Sequence, residues 1–178
     1  MAHIHNIEGR IPGPSAHAPM EPITLSDQNV DGVERRISAS AVQYWRELAA
    51  PRRYPSRAQV TDGSAPGLWD HLFIIKVGGD AAEHVFEYAG KVLREALGSD
   101  PTGKLVGDVL PREIVGRALY FQKAACDLMA PIDEAGRFKR RSDDVEVLYR
   151  AVLLPLSEDQ REANYLLGAF SFRTLVNH

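Results

Sequence analysis

The chain has 178 residues, 44% hydrophobic and 25% charged, a balance that suits one globular core with some length to spare. A formal net charge of -3 gives no general attraction to phosphate backbones or anionic membranes, so neither nucleic acid nor a membrane surface is an expected partner. Cys126 is the only cysteine, which excludes an intramolecular disulfide and a cysteine-based zinc site; no run approaches the ~18 apolar residues of a membrane span, and the expected location is cytoplasmic.

Residues 1–36 carry Pro12, Pro14, Pro19 and Pro22 among Gly, Ser, His and Asn without a sustained hydrophobic period, and they read as a flexible tail. Residues 7–10, Ile-Glu-Gly-Arg, have the form of a protease-cleavage linker. His3 and His5 supply two metal donors at most, too few for a closed site. The domain is expected over 37–178. Ser38 or Ser40 caps a first helix whose Val42, Trp45 and Leu48 fall at helical spacing, with Tyr44 widening the stripe, and Ala49-Ala50-Pro51 ends it. Prolines 51, 55 and 66 and glycines 63 and 67 then predict an irregular connection.

HLFIIKV at 71–77 suits a strand covered on both faces, and Gly78-Gly79-Asp80 marks a turn into a partner strand, HVFEYA. Strict alternation places His84, Phe86 and Tyr88 on one side of that strand. Gly90 breaks it. A short helix with Val92, Leu93, Ala96 and Leu97 follows, stopped by Gly98, and then a turn at 100–103 and a second short apolar element containing Leu105, Val109 and Leu110. Pro111 and Glu113 suit the start of a longer helix bearing Ile114, Val115, Ala118, Leu119, Phe121 and Ala125. Three strands are expected at about 126–132, 145–156 and 163–173, with RFKRRSDD and SEDQREAN as charged hairpin loops. Consecutive strands on short loops pair antiparallel, which predicts an α+β fold: a five-stranded antiparallel sheet with helices on one face and a flanking N-terminal helix. Short helices strung from a strand end arch over such a sheet and leave a small cavity beneath.

Tyr44-Trp45-Arg46, Pro55-Ser56-Arg57, HLFIIKV, the run through Phe86, Tyr88 and Gly90, ALGSDPTGK with Leu110-Pro111, and LLPLSED with LLGAF span about residues 40–172. In that order they resemble the PAS domain superfamily of sensor and interaction modules. Within it they look most like a stand-alone alphaproteobacterial subfamily formerly grouped as a domain of unknown function. The stretch 133–143 departs from that pattern in its length and basic charge. The resemblance implies the five-stranded sheet and a role in sensing or regulation through a homodimer or a protein partner. It does not imply a ligand, because such domains hold haem, flavin, small metabolites or nothing.

The chemistry is therefore read from the residues. Cys126 lacks the polar surroundings of a photoactive flavin site, and residues 112–125 hold no histidine to ligate haem, so both cofactors are disfavoured and none is assigned. No Ser-His-Asp order, P-loop or dinucleotide pattern occurs, and a non-enzymatic regulatory module is expected. The weaker alternative is a small hydrolase or isomerase with His71 or His84 as base and Asp70 as orienter. Asp108, Glu113, Asp133 and Glu134 sit near expected turns or helix starts, where solvation explains them, and RFKRR at 137–141 reads as a solvated hairpin tip. Phe86, Tyr88, Leu97, Phe121 and Tyr149 are the candidates to line a ligand pocket, with Tyr88 or Tyr149 as the polar handle. Val42, Tyr44, Trp45 and Leu48 are the candidates for a dimer or partner interface, against the alternative that their helix folds back on its own sheet.

Overall fold

Period-two alternation builds the sheet. The computed structural model describes residues 25–175, with side chains from residue 32. Five strands, β1 (Leu72–Lys76), β2 (Val85–Ala89), β3 (Ile132–Lys139), β4 (Glu146–Leu156) and β5 (Tyr165–Leu175), form one sheet in the order β2-β1-β5-β4-β3. Every neighbouring pair is antiparallel. On β4, Val147, Tyr149, Ala151 and Leu153 enter one core while Val152, Leu154 and Leu156 enter another. The sheet is thus buried on both faces, as its near-continuous apolar central strands require.

The first core lies under α2 (Lys91–Leu97), α3 (Val106–Val109) and α4 (Val115–Leu128). α2 ends at Gly98, whose φ of +76° is open to glycine and whose N–H donates to the Arg94 carbonyl at 2.9 Å. The second core lies under α1 (Leu25–Ala49) and the connection that follows it. Ala41, Tyr44 and Trp45 are buried there, and the Trp45 indole N–H donates to the Pro155 carbonyl at 2.7 Å. The α+β fold has the layout expected from the sequence: five antiparallel strands, a helical block on one face and a flanking N-terminal helix.

Several boundaries differ from expectation. α1 reaches back to Leu25, into the stretch expected as tail, and Glu34 of this extension lies 3.4 Å from Arg150 on the sheet. Residues 1–24, with His3, His5 and the linker-like residues 7–10, lie outside the described residues. The strand expected at 126–132 is instead the end of α4 and a turn, so Cys126 is helical. Ala124-Ala125-Cys126-Asp127-Leu128 prolongs the helix until Met129, at φ 50°, and Pro131 stop it. β3 accordingly starts later and takes in Arg137, Phe138 and Lys139, which shortens the expected charged hairpin loop. Four charges and a glycine within IDEAGRFK hide its alternation.

In β2 the faces, and not the boundaries, differ from expectation. Ile74 pairs with Tyr88 but Ile75 with Phe86, so Glu87 is an extra residue, a β-bulge. It turns Phe86 and Ala89 into the first core and sends Tyr88 to the second. Beyond β2 the chain doubles back over that strand's outer edge. Phe86 N–H donates to Lys104 O at 3.0 Å, Gly103 N–H to Phe86 O at 2.7 Å and Val106 N–H to His84 O at 2.9 Å.

Candidate functional site

β4 carries Tyr149 at the middle of the first face, between Gly136 of β3 and Phe172 of β5. A Cβ on Gly136 would lie 3.0 Å from the Tyr149 ring, so glycine is what leaves room for the ring to lie over the edge strand. The ring stacks on Phe170 with centroids 5.4 Å apart and tilts against Phe138 at 5.9 Å. These contacts hold it firmly, yet its hydroxyl is buried with no hydrogen-bond partner among the described residues.

That hydroxyl belongs to the wall of a chamber of about 30 Å³ between sheet and helices, large enough for one or two waters. Phe73, Phe86, Leu110, Ile114 and Phe170 make most of its lining apolar. Three polar side chains interrupt it: Tyr149, Gln122 of α4 and Glu134 of β3. Gln122 is occupied, its Oε1 lying 2.9 Å from Nδ1 of the buried His84. Glu134 is not, since its Oε2 is buried without a partner. Burial pushes the Glu134 carboxyl up to about 7, against the opposing pull of the Arg117 charge. Burial first, and then the nearby Glu134 charge, raise the Tyr149 phenol above its ordinary value. The chamber therefore presents a carboxyl poised between acid and anion beside a phenol that stays protonated, a pair able to donate and accept.

Of the residues expected to line a pocket, the structure brings Phe86 and Tyr149 to the chamber. The bulge takes Tyr88 away: its ring stacks on Trp69 at 4.5 Å across the sheet, and its hydroxyl donates to the Trp69 carbonyl at 3.3 Å. Leu97 is buried in the first core but faces a separate hollow with Gly98, Lys104 and Arg141. Phe121 is half-buried and lines the outside of the molecule, with the Arg117 guanidinium 5.6 Å from its centroid. Glu134, expected in a solvated turn, is instead one of the polar side chains lining the chamber. Its signal was the even spacing from Ile132 and Phe138, which sets all three on one face.

The candidate base pair is not assembled. His71 Nδ1 lies 2.9 Å from the Phe170 carbonyl, His84 is held by Gln122, and among the described residues no hydrogen bond joins the exposed Asp70 to either. Cys126 is half-buried, with its thiol pushed up to about 11 by burial, which suits a packing role. Neither cysteine nor histidine lines the chamber. Among the described residues no three His, Cys, Asp or Glu converge as a metal site needs, and no helix is long and apolar enough to cross a membrane.

Of the expected interface residues, Tyr44 and Trp45 are buried on the chain's own sheet, whereas Val42 and Leu48 are half-buried beside the second core. Val42 also lines an open groove of about 800 Å³ with Arg46 of α1, Arg117 and Phe121 of α4, and Asp133, Glu134 and Ala135 of β3. Glu134 thus faces both the inner chamber and the outer groove.

No protein-family model matches the chain, and no curated protein matches it. Among solved structures it is similar to the LOV protein of Rhodobacter sphaeroides, at 14% identity and a TM-score of 0.47, over 75% of this chain and 67% of that one. It is also similar to the N-terminal domain of a diguanylate cyclase with PAS/PAC sensor from Marinobacter aquaeolei, at 19% identity and a TM-score of 0.43, over 56% of this chain and 93% of that one. A third is the LOV domain of a blue-light activated histidine kinase from Erythrobacter litoralis, at 14% identity and a TM-score of 0.44, over 58% and 95%.

Proposed function

We propose that this chain is a non-enzymatic sensory or regulatory PAS-like module, nearest in its motifs to the stand-alone alphaproteobacterial subfamily. It acts by self-association and by contact with a protein partner, and it reads a small polar molecule held between sheet and helices. The observation that carries this is the pairing of two unsatisfied buried groups, Tyr149 OH and Glu134 Oε2, on the wall of one otherwise apolar chamber. A buried polar atom without a partner costs roughly 1–3 kcal/mol, and a chain that keeps two such atoms together has a use for them.

The chamber as it stands admits only something water-sized, well below the ~300 Å³ of ordinary ligand pockets. A larger ligand enters by displacing side chains, and the displacement is the signal. Binding shifts output only if it favours one of two arrangements, and the helices roofing the chamber are the elements able to take two. Native mass spectrometry of protein purified from its own host tests the proposal. A dimer carrying a non-covalent small molecule, with the adduct lost in Tyr149→Phe, is expected. A strictly monomeric, ligand-free protein that enriches no partner would remove it.

A further inference from the structure

β3 is an edge strand whose outer side has no backbone partner among the described residues. Its pairing with β4 runs through all eight residues without a shift, and it contains neither proline nor bulge. Such an edge invites another strand unless its charges repel. Here the charges do the reverse. Asp133 and Glu134 occupy the first half of the strand, Arg137 and Lys139 the second, so two copies running antiparallel set acid against base. Arg137 can turn outward, since its side chain is 72% exposed and the Glu146 carboxylate beside it lies 3.5 Å away. The groove of about 800 Å³ supplies the open volume beside Asp133, Glu134 and Ala135.

We propose that the open edge of β3 docks a second copy of this chain, the two β3 strands pairing antiparallel about Ala135 so that both sheets become one. A two-fold axis perpendicular to the sheet keeps every residue on its own face, so opposed residues are an even number apart. Centred on Ala135, the register opposes Asp133 to the second copy's Arg137, twice over, Ile132 to Phe138, and Glu134 to the unencumbered Gly136. Centred on Gly136, it would set Glu134 against Phe138, an inferior match. Val42 and Phe121 flank the groove and add apolar surface where the walls of the two copies meet.

The proposal rests on the self-association proposed above but centres it on the β3 edge and not on the stripe of α1, of which Val42 borders the groove. Sedimentation equilibrium on the full chain separates the two. Asp133→Arg and Arg137→Asp should each weaken the dimer by roughly tenfold or more, because each sets like charges across the axis twice. Mixing the two variants should restore a heterodimer, and the double variant a homodimer, since both arrangements oppose Arg to Asp at both positions. A dimer indifferent to all of these would overturn the edge and leave self-association standing. Singles that weaken the dimer without rescue on mixing would overturn the register. A monomeric wild type would overturn both readings and leave the edge to a segment of another protein.

Discussion

The two edges of this sheet face the same physical problem and meet it in opposite ways. β2 is covered by the chain itself, with residues 103–106 returning along it to make three backbone hydrogen bonds and a bridge between Val85 and Leu105. β3 has no such cover among the described residues and carries six polar or small residues in eight. The difference follows from connectivity. The helical block passes β2 on its way across the sheet, so the link between α2 and α3 can close that edge at no cost in extra chain, whereas β3 follows directly on α4 and leads through a short hairpin loop into β4. A covered edge belongs to the fold; an uncovered edge bearing a self-complementary charge pattern is available for association.

If that contrast is right, damage at the two edges has different consequences. The largest effect is expected from Val106→Asp. Val106 is fully buried in the segment covering β2, so a carboxylate there is desolvated without a partner and the edge is uncovered. Loss of at least ~3 kcal/mol in urea unfolding, together with aggregation, is expected; a soluble variant of unchanged stability would show that the cover is dispensable.

The next concerns Glu134, whose side chain passes inward from the open edge. Its carboxyl is raised from 4.5 to about 7 in the folded chain. Below about pH 4.5 it is protonated in folded and unfolded chains alike and imposes nothing. As pH rises from there, the unfolded chain releases its proton first, so stability falls until about pH 7 and then levels. The total is at most about 3 kcal/mol. Urea midpoints measured across this range should show the decline, and Glu134→Gln should flatten it.

A smaller change is expected of Tyr149→Phe, which removes an unpartnered hydroxyl while keeping the ring that stacks on Phe170. Stability should stay level or rise by up to ~1 kcal/mol. A loss of more than that would mean that the hydroxyl is satisfied in solution, by a water or a ligand. The smallest effect belongs to Asp133→Ala, at an exposed site on the open edge. Unfolding of the monomer should move by no more than about 0.5 kcal/mol, in contrast to Val106→Asp.

Parts of this molecule are legible in the sequence. Central strands were plain because Phe73, Ile75, Leu153 and Leu166 belong to long apolar runs that no solvated element would carry. Gly98 was legible because only a left-handed helix stop needs it there. The candidate chamber was half legible: Phe86 and Tyr149 follow from alternation, but Tyr88 does not, because a bulge leaves no mark in a single sequence. Glu134 was obscured by its own charge, which within DEAGR reads as a loop until the pairing with β4 is known.

The sequence by itself determined the apolar central strands, the helix stops at Pro51 and Gly98 and that the chain is an α+β domain, since these depend on neighbours within a few residues. The tertiary structure alone decided that Tyr44 and Trp45 close on their own sheet, that Glu134 turns inward and that β3 is left uncovered among the described residues. Each of these depends on which apolar face meets which, and on strand registers set between residues far apart in the chain. A local pattern shows that a face must be buried, and only the packed whole shows against what.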